Sequence, residues 1–183
     1  LDTVSKLAKQ IGAAAYQQTI AYGSHFLSRS PTYMGALSRS QKEIKKTLEP
    51  YDLLIFLGST VLQTSVASEV DPMPEGANVV QIGLDDWELA KNYSSDIAIR
   101  ADVKETVKGL IPEIESHGGV EFLRLAQTRV TELEKANWES KNLKARRDAL
   151  SKSSALPIEP DWLMLSIVDT LEEGGIIVNE SLT

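Results

Sequence analysis

Few side chains in this sequence of 183 residues could do covalent chemistry. It has two histidines, His25 and His117, and no cysteine. Without cysteine there is no thiolate nucleophile, thiolate metal ligand or disulfide scaffold, and a reducing, cytoplasmic setting is expected. Ser59 follows Gly58, but the Gly-x-Ser-x-Gly frame of a hydrolase nucleophile is missing. No spacing of His, Asp and Glu matches a metal site, and neither Gly-x-Gly-x-x-Gly nor a P-loop occurs. His117 precedes Gly118-Gly119 at an expected helix end, where a cation suits the helix dipole, so a structural role is expected. His25 lies in a long polar loop, where exposure, a local hydrogen bond and a catalytic role are all open.

The segments that close apolar runs carry more. Gly58-Ser59-Thr60 follows Leu53-Leu54-Ile55-Phe56-Leu57, Gly83 and Asp85 close Val79-Val80-Gln81-Ile82, and Ala101-Asp102 follows Ile97-Ala98-Ile99. In an open α/β sheet, ligands bind outside the carboxyl ends of the strands. Small residues there admit a ligand to the backbone, and an acid can accept ribose hydroxyls. Gly58, Ser59, Asp85 and Asp102 are therefore nucleotide-binding candidates. Ordinary turn chemistry is the competing reading.

Those ends need elements to position them. Val4, Leu7, Ala8 and Ile11 recur at helical spacing, and Gly12 follows as a C-cap would. Residues 13–16 form a short strand candidate, and 17–32 a polar loop long enough to suggest a functional role. Ser40 and Glu43 form a capping box ahead of Ile44 and Leu48. The run from Leu53 to Leu57 is apolar without alternation, as expected of a strand buried on both faces. Val103, Val107, Leu110, Ile111 and Ile114 mark a helix ending near Gly118-Gly119. Strands alternating with helices predict an α/β, Rossmann-like layered domain with a mainly parallel sheet and flanking helices.

Beyond Gly119 the character changes. Phe122, Leu125, Ala126, Val130 and Leu133 form one helical stripe. Residues 137–154 are polar, with five basic residues and one acid between Lys141 and Lys152, which reads as a solvated linker helix or, alternatively, a phosphate-binding patch. Pro160-Asp161 opens a further helix, and Ile176-Ile177-Val178 reads as a strand. The expected division is a central domain over 1–118, a helical linker over 119–156, and the start of a second α/β domain over 157–183. Lys and Arg number 19 against 26 Asp and Glu, a net charge of -7, which argues against a nucleic-acid partner. No apolar run could span a bilayer and no signal peptide is present, so no membrane partner is expected.

Three stretches are recognisable together: Tyr51-Asp52-Leu53-Leu54-Ile55-Phe56-Leu57-Gly58, then Val80-Gln81-Ile82-Gly83-Leu84-Asp85-Asp86-Trp87-Glu88-Leu89-Ala90-Lys91-Asn92-Tyr93, then Ser95-Asp96-Ile97-Ala98-Ile99-Arg100-Ala101-Asp102. In this order and spacing they resemble the central domain of thiamine-diphosphate-dependent enzymes, over about residues 1–114. Arg29-Ser30-Pro31-Thr32-Tyr33-Met34-Gly35 is similar to the Arg-His-Pro-aromatic-x-Gly stretch of the benzoylformate decarboxylase branch. Asn179-Glu180-Ser181 resembles the opening of the family's diphosphate-binding domain.

The resemblance implies a fragment of a 2-keto acid decarboxylase that uses thiamine diphosphate and Mg²⁺, with the main cofactor motifs on missing N- and C-terminal domains of the same chain. It implies a homo-oligomer, dimer or tetramer, and an inactive isolated segment. The family's loop histidine falls on Ser30, and a hydroxyl cannot relay protons near neutral pH as imidazole does. That leaves Ser30 and His25 as the catalytic candidates of the loop. Thr183 falls where the diphosphate-contacting loop begins. The alternatives are a central domain that binds FAD or ADP, as in acetolactate synthase or oxalyl-CoA decarboxylase, and a ligand-free structural domain. Leu1 within a helix and Thr183 at the start of a loop lead to the expectation of a piece of a longer chain whose sheet lacks its first strand and exposes an edge.

Overall fold

The computed structural model describes residues 1–18, 24–66 and 68–178. The chain divides into two compact units, Leu1–Trp138 and Glu139–Thr183.

The first unit begins with α1 (Asp2–Ile11), which buries Ser5, Leu7 and Ala8. Gly12 ends it in the left-handed region, φ 64 and ψ 37, with its N–H turned to the carbonyls of Ala8 and Lys9. Only glycine reaches that conformation without cost. The position is doubly constrained, because a Cβ on Gly12 would lie 2.7 Å from the Ala126 carbonyl oxygen.

Among the described residues all five strands pair in parallel. β1 (Ala15–Gln17) pairs with β2 (Tyr33–Ala36), and β3 (Leu53–Leu57), β4 (Asn78–Gly83) and β5 (Ile97–Arg100) form a second sheet in that order. Helices lie on both sides, so the layered α/β architecture is as expected. On one side Leu54 and Phe56 pack with Ile44 and Leu48 of α2 (Gln41–Leu48) and with Val61 and Leu62. On the other, Leu57 packs with Leu7 of α1 and with Val107 and Ile111 of α3 (Val103–Glu134).

Several local details refine these expectations. Tyr33–Ala36 is a strand although Gly35 interrupts it. Gly35 has φ 105, and a Cβ there would come within 3.0 Å of the Trp138 ring. The Ser40 capping box does not form, because the Ser40 side chain makes no cap bond and its amide donates to the Ser38 hydroxyl at 3.1 Å. β3 is not buried on both faces: Leu53 and Ile55 are 46% and 36% exposed. In register they share a face with Val80, Ile97 and Ile99, and only the Leu57 end of β3 on that face meets α1 and α3. The helix ends near Gly118-Gly119 as expected: Gly119, at φ 70 and ψ 173, is non-helical, and a second helical segment of α3 runs on from there to Glu134. Its far half buries Ala126 and Val130, and beyond it the buried Asn137 amide donates to the Pro31 carbonyl.

In the second unit, α4 (Trp138–Ser151) starts at the boundary and α5 (Pro160–Thr170) follows with proline in its first turn. Arg146 grips Asp169 through two contacts of 2.8 and 3.0 Å, and Lys152 reaches Glu159 and Asp161. The basic run is thus partly neutralised within its own unit. Ile176-Ile177-Val178 is not a strand; among the described residues no neighbouring strand offers it a ladder, and all three are exposed.

Gly12→Ala should destabilise the first unit by about 2–4 kcal/mol, combining left-handed strain with overpacking against Ala126. Urea denaturation monitored by far-UV circular dichroism measures this directly.

Candidate functional site

The carboxyl ends of β3, β4 and β5 come together in a row. Gly58 turns at φ 65, its N–H donates to the Ile82 carbonyl at 2.8 Å, and a Cβ on it would sit 3.3 Å from Val103 at the start of α3. Ala101 donates to the Gly83 carbonyl at 3.0 Å. Gly83 faces open space on its Cα. Ser59 is half-buried, and Thr60 accepts from the Gln18 amide at 3.2 Å. The row therefore brings Gly58, Ser59, Gly83 and Asp102 to one edge, as the strand-end argument requires.

The two acids of that row have local partners. Asp85 Oδ1 accepts the Trp87 amide at 3.0 Å, and its carbonyl accepts Glu88 N–H at 3.2 Å, forming an Asx turn. Asp102 is the N-cap of α3: its Oδ1 accepts Glu105 N–H at 2.9 Å, and its carbonyl accepts the Thr106 hydroxyl. In each acid one carboxylate oxygen, Oδ1, is engaged in stabilising its turn.

The loop candidates lie elsewhere, on the segment that leads into the amino end of β2. His25 is exposed. Ser30 is only 4% exposed, with its hydroxyl 3.1 Å from that of Ser5 on α1 and 3.1 Å from that of Thr32. This buried hydroxyl cluster ties the loop to α1. The structure does not bring Ser30 or His25 to the strand-end row. Thr183 lies outside the described residues. His117 sits in the turn before the Gly119 break, with Nδ1 2.9 Å from the Glu113 carbonyl and 2.8 Å from the Ser116 hydroxyl.

Gln81 is the positioning residue that sequence reading missed. It is 1% exposed in the middle of β4. Its amide donates to the Glu88 carbonyl at 3.0 Å, and its oxygen accepts Ala90 N–H at 2.7 Å and the Ser95 hydroxyl at 3.3 Å. One side chain thus fixes the loop between β4 and β5, Asp85 included. The signal was present: an amide within an apolar strand must find partners when buried. Tyr16 and Tyr51 also meet, hydroxyl to hydroxyl at 3.0 Å. Burial, and then the hydrogen bond and charge interaction with Tyr51, push the Tyr16 phenol well above the ordinary tyrosine range. Burial raises Tyr33 as well.

Among the described residues no group of three or more His, Asp and Glu could hold a metal ion, and no helix is long and apolar enough to cross a membrane. A concavity of about 560 Å³ lies between α1 and α3, lined by Lys6, Lys108 and Glu115 among others, away from every candidate above. Nothing described here fits an anionic diphosphate with its cation. The acids of the row are engaged by the backbone, and like charge would oppose the ligand.

A parallel α/β domain with a strand-end row defines a layered domain of nucleotide-fold type. The sequence narrows this further. Residues 1–110 match the family model described as the central domain of thiamine pyrophosphate enzymes, and the chain belongs to that family. It is 26% identical over 109 residues to a benzoylformate decarboxylase of Pseudomonas aeruginosa, covering 60% of this chain and 20% of that protein. A thiamine diphosphate-dependent 4-hydroxybenzoylformate decarboxylase of Rhodococcus jostii RHA1 is similar in structure, with TM-score 0.56, 25% identity, and 60% and 20% of the two chains covered. A benzoylformate decarboxylase of Polynucleobacter necessarius shares the fold at TM-score 0.54 and 19% identity, over 58% and 20%. The chain spans about a fifth of the length of each of these relatives.

Replacing Gln81 by Leu should cost about 2–3 kcal/mol, because the Glu88 and Ala90 backbone groups lose their partner. Chemical denaturation measures the loss, and Trp87 emission should report the loosened loop. A second expectation concerns alkali. The folded Tyr16 holds its proton beyond the unfolded value of about 10, so its contribution is complete below that pH and lost as pH rises above it. The melting temperature should fall above about pH 10, and fall less in Tyr16→Phe.

Proposed function

We propose that this chain is the central part of a longer thiamine diphosphate-dependent decarboxylase acting on an aromatic 2-keto acid of the benzoylformate class. The observation that carries the reading is the family match over residues 1–110, with decarboxylases of that substrate class among the relatives. A strand-end row whose acids are already engaged supports a connecting role rather than a cofactor site.

In this reading residues 1–118 are the central domain, 119–156 the linker and 157–183 the start of the cofactor-binding domain. Thiamine diphosphate, held with Mg²⁺ by the rest of the protein, supplies the electron sink for loss of carbon dioxide. Thr183 belongs to the loop that approaches the diphosphate. The central domain joins and orients its neighbours in a cytoplasmic homo-oligomer. Within this chain, the Ser5-Ser30-Thr32 cluster anchors the loop into β2, and the exposed His25 on that loop is the imidazole available for proton transfer. FAD or ADP at Gly58, Ser59, Asp85 and Asp102 is the less favoured reading.

The 183-residue chain alone, given benzoylformate, thiamine diphosphate and Mg²⁺, should release no carbon dioxide. The longer protein containing it should release carbon dioxide and benzaldehyde, and only with thiamine diphosphate present. His25→Ala in that protein should lower kcat by about a hundredfold with KM little changed. A longer protein inert toward benzoylformate at saturating cofactor would refute the substrate class, and an unaltered kcat in the variant would remove His25 from the chemistry.

A further inference from the structure

The outer edge of β5 has no partner strand among the described residues, and every residue of β5 is exposed. Which backbone groups face outward follows from the ladders. Asn78 donates to the Asp52 carbonyl at 2.9 Å and Gly58 to the Ile82 carbonyl at 2.8 Å, so the even-numbered residues of β4 turn toward β3. The odd-numbered residues of β4 therefore turn toward β5, consistent with Ala101 donating to Gly83. In that register Ile97, Ile99 and Ala101 face β4, and the N–H and C=O groups of Ala98 and Arg100 point outward.

An edge of this kind accepts another strand, and its own sequence is self-complementary. Antiparallel pairing about a two-fold axis at Ala98 makes Ala98 and its copy exchange two N–H···O=C bonds. It sets Ile97 opposite Ile99 of the copy, twice, and Asp96 opposite Arg100 of the copy, twice. Opposite charges and branched apolar residues directly across a ladder are the favourable pairs. Centring on Ile99 also presents outward groups to each other, but it sets Asp96 against Asp102 and Ile97 against Ala101. Charge therefore selects Ala98. Asp96 turns its N–H and one carboxylate oxygen toward Val79 of β4, at 2.9 and 2.7 Å, which fixes the exposed residue at the start of β5. Among the described residues the Arg100 guanidinium pairs with Asp86 alone, at 4.0 Å between two exposed side chains. The exposed apolar face of Leu53, Ile55, Ile97 and Ile99, with the half-buried Val80 between them, would then continue across six strands.

We propose that the β5 edge is a self-association surface whose partner is a second copy of this chain, joined antiparallel with Ala98 on the two-fold axis. The inference rests on the strand and its ladder, not on the cofactor reading, so failure of one leaves the other standing.

Sedimentation velocity over a concentration series tests it. The chain should show a reversible monomer–dimer equilibrium. Ala98→Pro removes an outward N–H and leaves the ladder to β4 intact, as proline at a sheet edge allows. Arg100→Glu places like charges opposite each other. Each should weaken dimerisation by about tenfold or more, with circular dichroism unchanged. The chain has no cysteine, so single thiols read the register without background. Ala98→Cys should oxidise to a covalent dimer, since such a pair lies about 5.5 Å apart at Cα, and Ile99→Cys should not. A monomer at every concentration overturns the proposal. So does a dimer indifferent to both substitutions, cross-linking at Ile99→Cys instead of Ala98→Cys, or open-ended polymers, which would mean β3–β5 pairing.

Discussion

A parallel strand cannot fold straight back on its neighbour; the chain must cross over and return to the same end of the sheet. Here that requirement organises the first unit. α2, between β2 and β3, packs on one side of the sheet, while α1, ahead of the strands, and α3, after them, pack on the other. β4 takes the central place, giving alternate backbone groups to β3 and β5. A strand so placed has no solvent-facing edge, and its one large polar side chain must be matched inside. Gln81 meets that demand by holding the Glu88–Ser95 loop, so the interior of the sheet governs the shape of a surface loop.

The same logic explains why so much of the fold was legible in sequence. Leu53 to Leu57, Val79 to Ile82 and Ile97 to Ile99 announce themselves by branched apolar residues, and Gly12 announces the end of α1. β2 was hidden because Tyr33-Met34-Gly35-Ala36 has weak strand character and depends on Trp138, distant in sequence, to fill the space over Gly35. The capping box at Ser40 and Glu43 was a correct pattern displaced by a competing bond from Ser38. Gly119 was legible as a break in helix geometry, and the helical segment beyond it is placed by tertiary packing at Ala126 and Val130. At the strand ends, residue type identified where a ligand edge lies. It could not show that Asp85 and Asp102 already serve the backbone, because that depends on which N–H groups each turn leaves open.

The loop into β2 combines two properties that a sequence does not separate. Ser30 and Thr32 are locked into α1 through Ser5, and Phe26 stacks on Tyr33 at 5.6 Å, while His25 stays outside. A segment built this way holds its exposed side chain at a fixed place through buried small hydroxyls. Ser30, where the family resemblance implies a histidine, is a group that only fastens the loop.

The approach of Gly12 to Ala126 links two positions at opposite ends of the first unit. A larger side chain at either one moves α1 away from the far half of α3 unless the other yields, and Gly12, having no side chain, cannot yield. The pair should therefore be inherited together: across relatives in which both helices are retained, the two sites should vary in concert or not at all, whatever substrate the surrounding enzyme has come to accept.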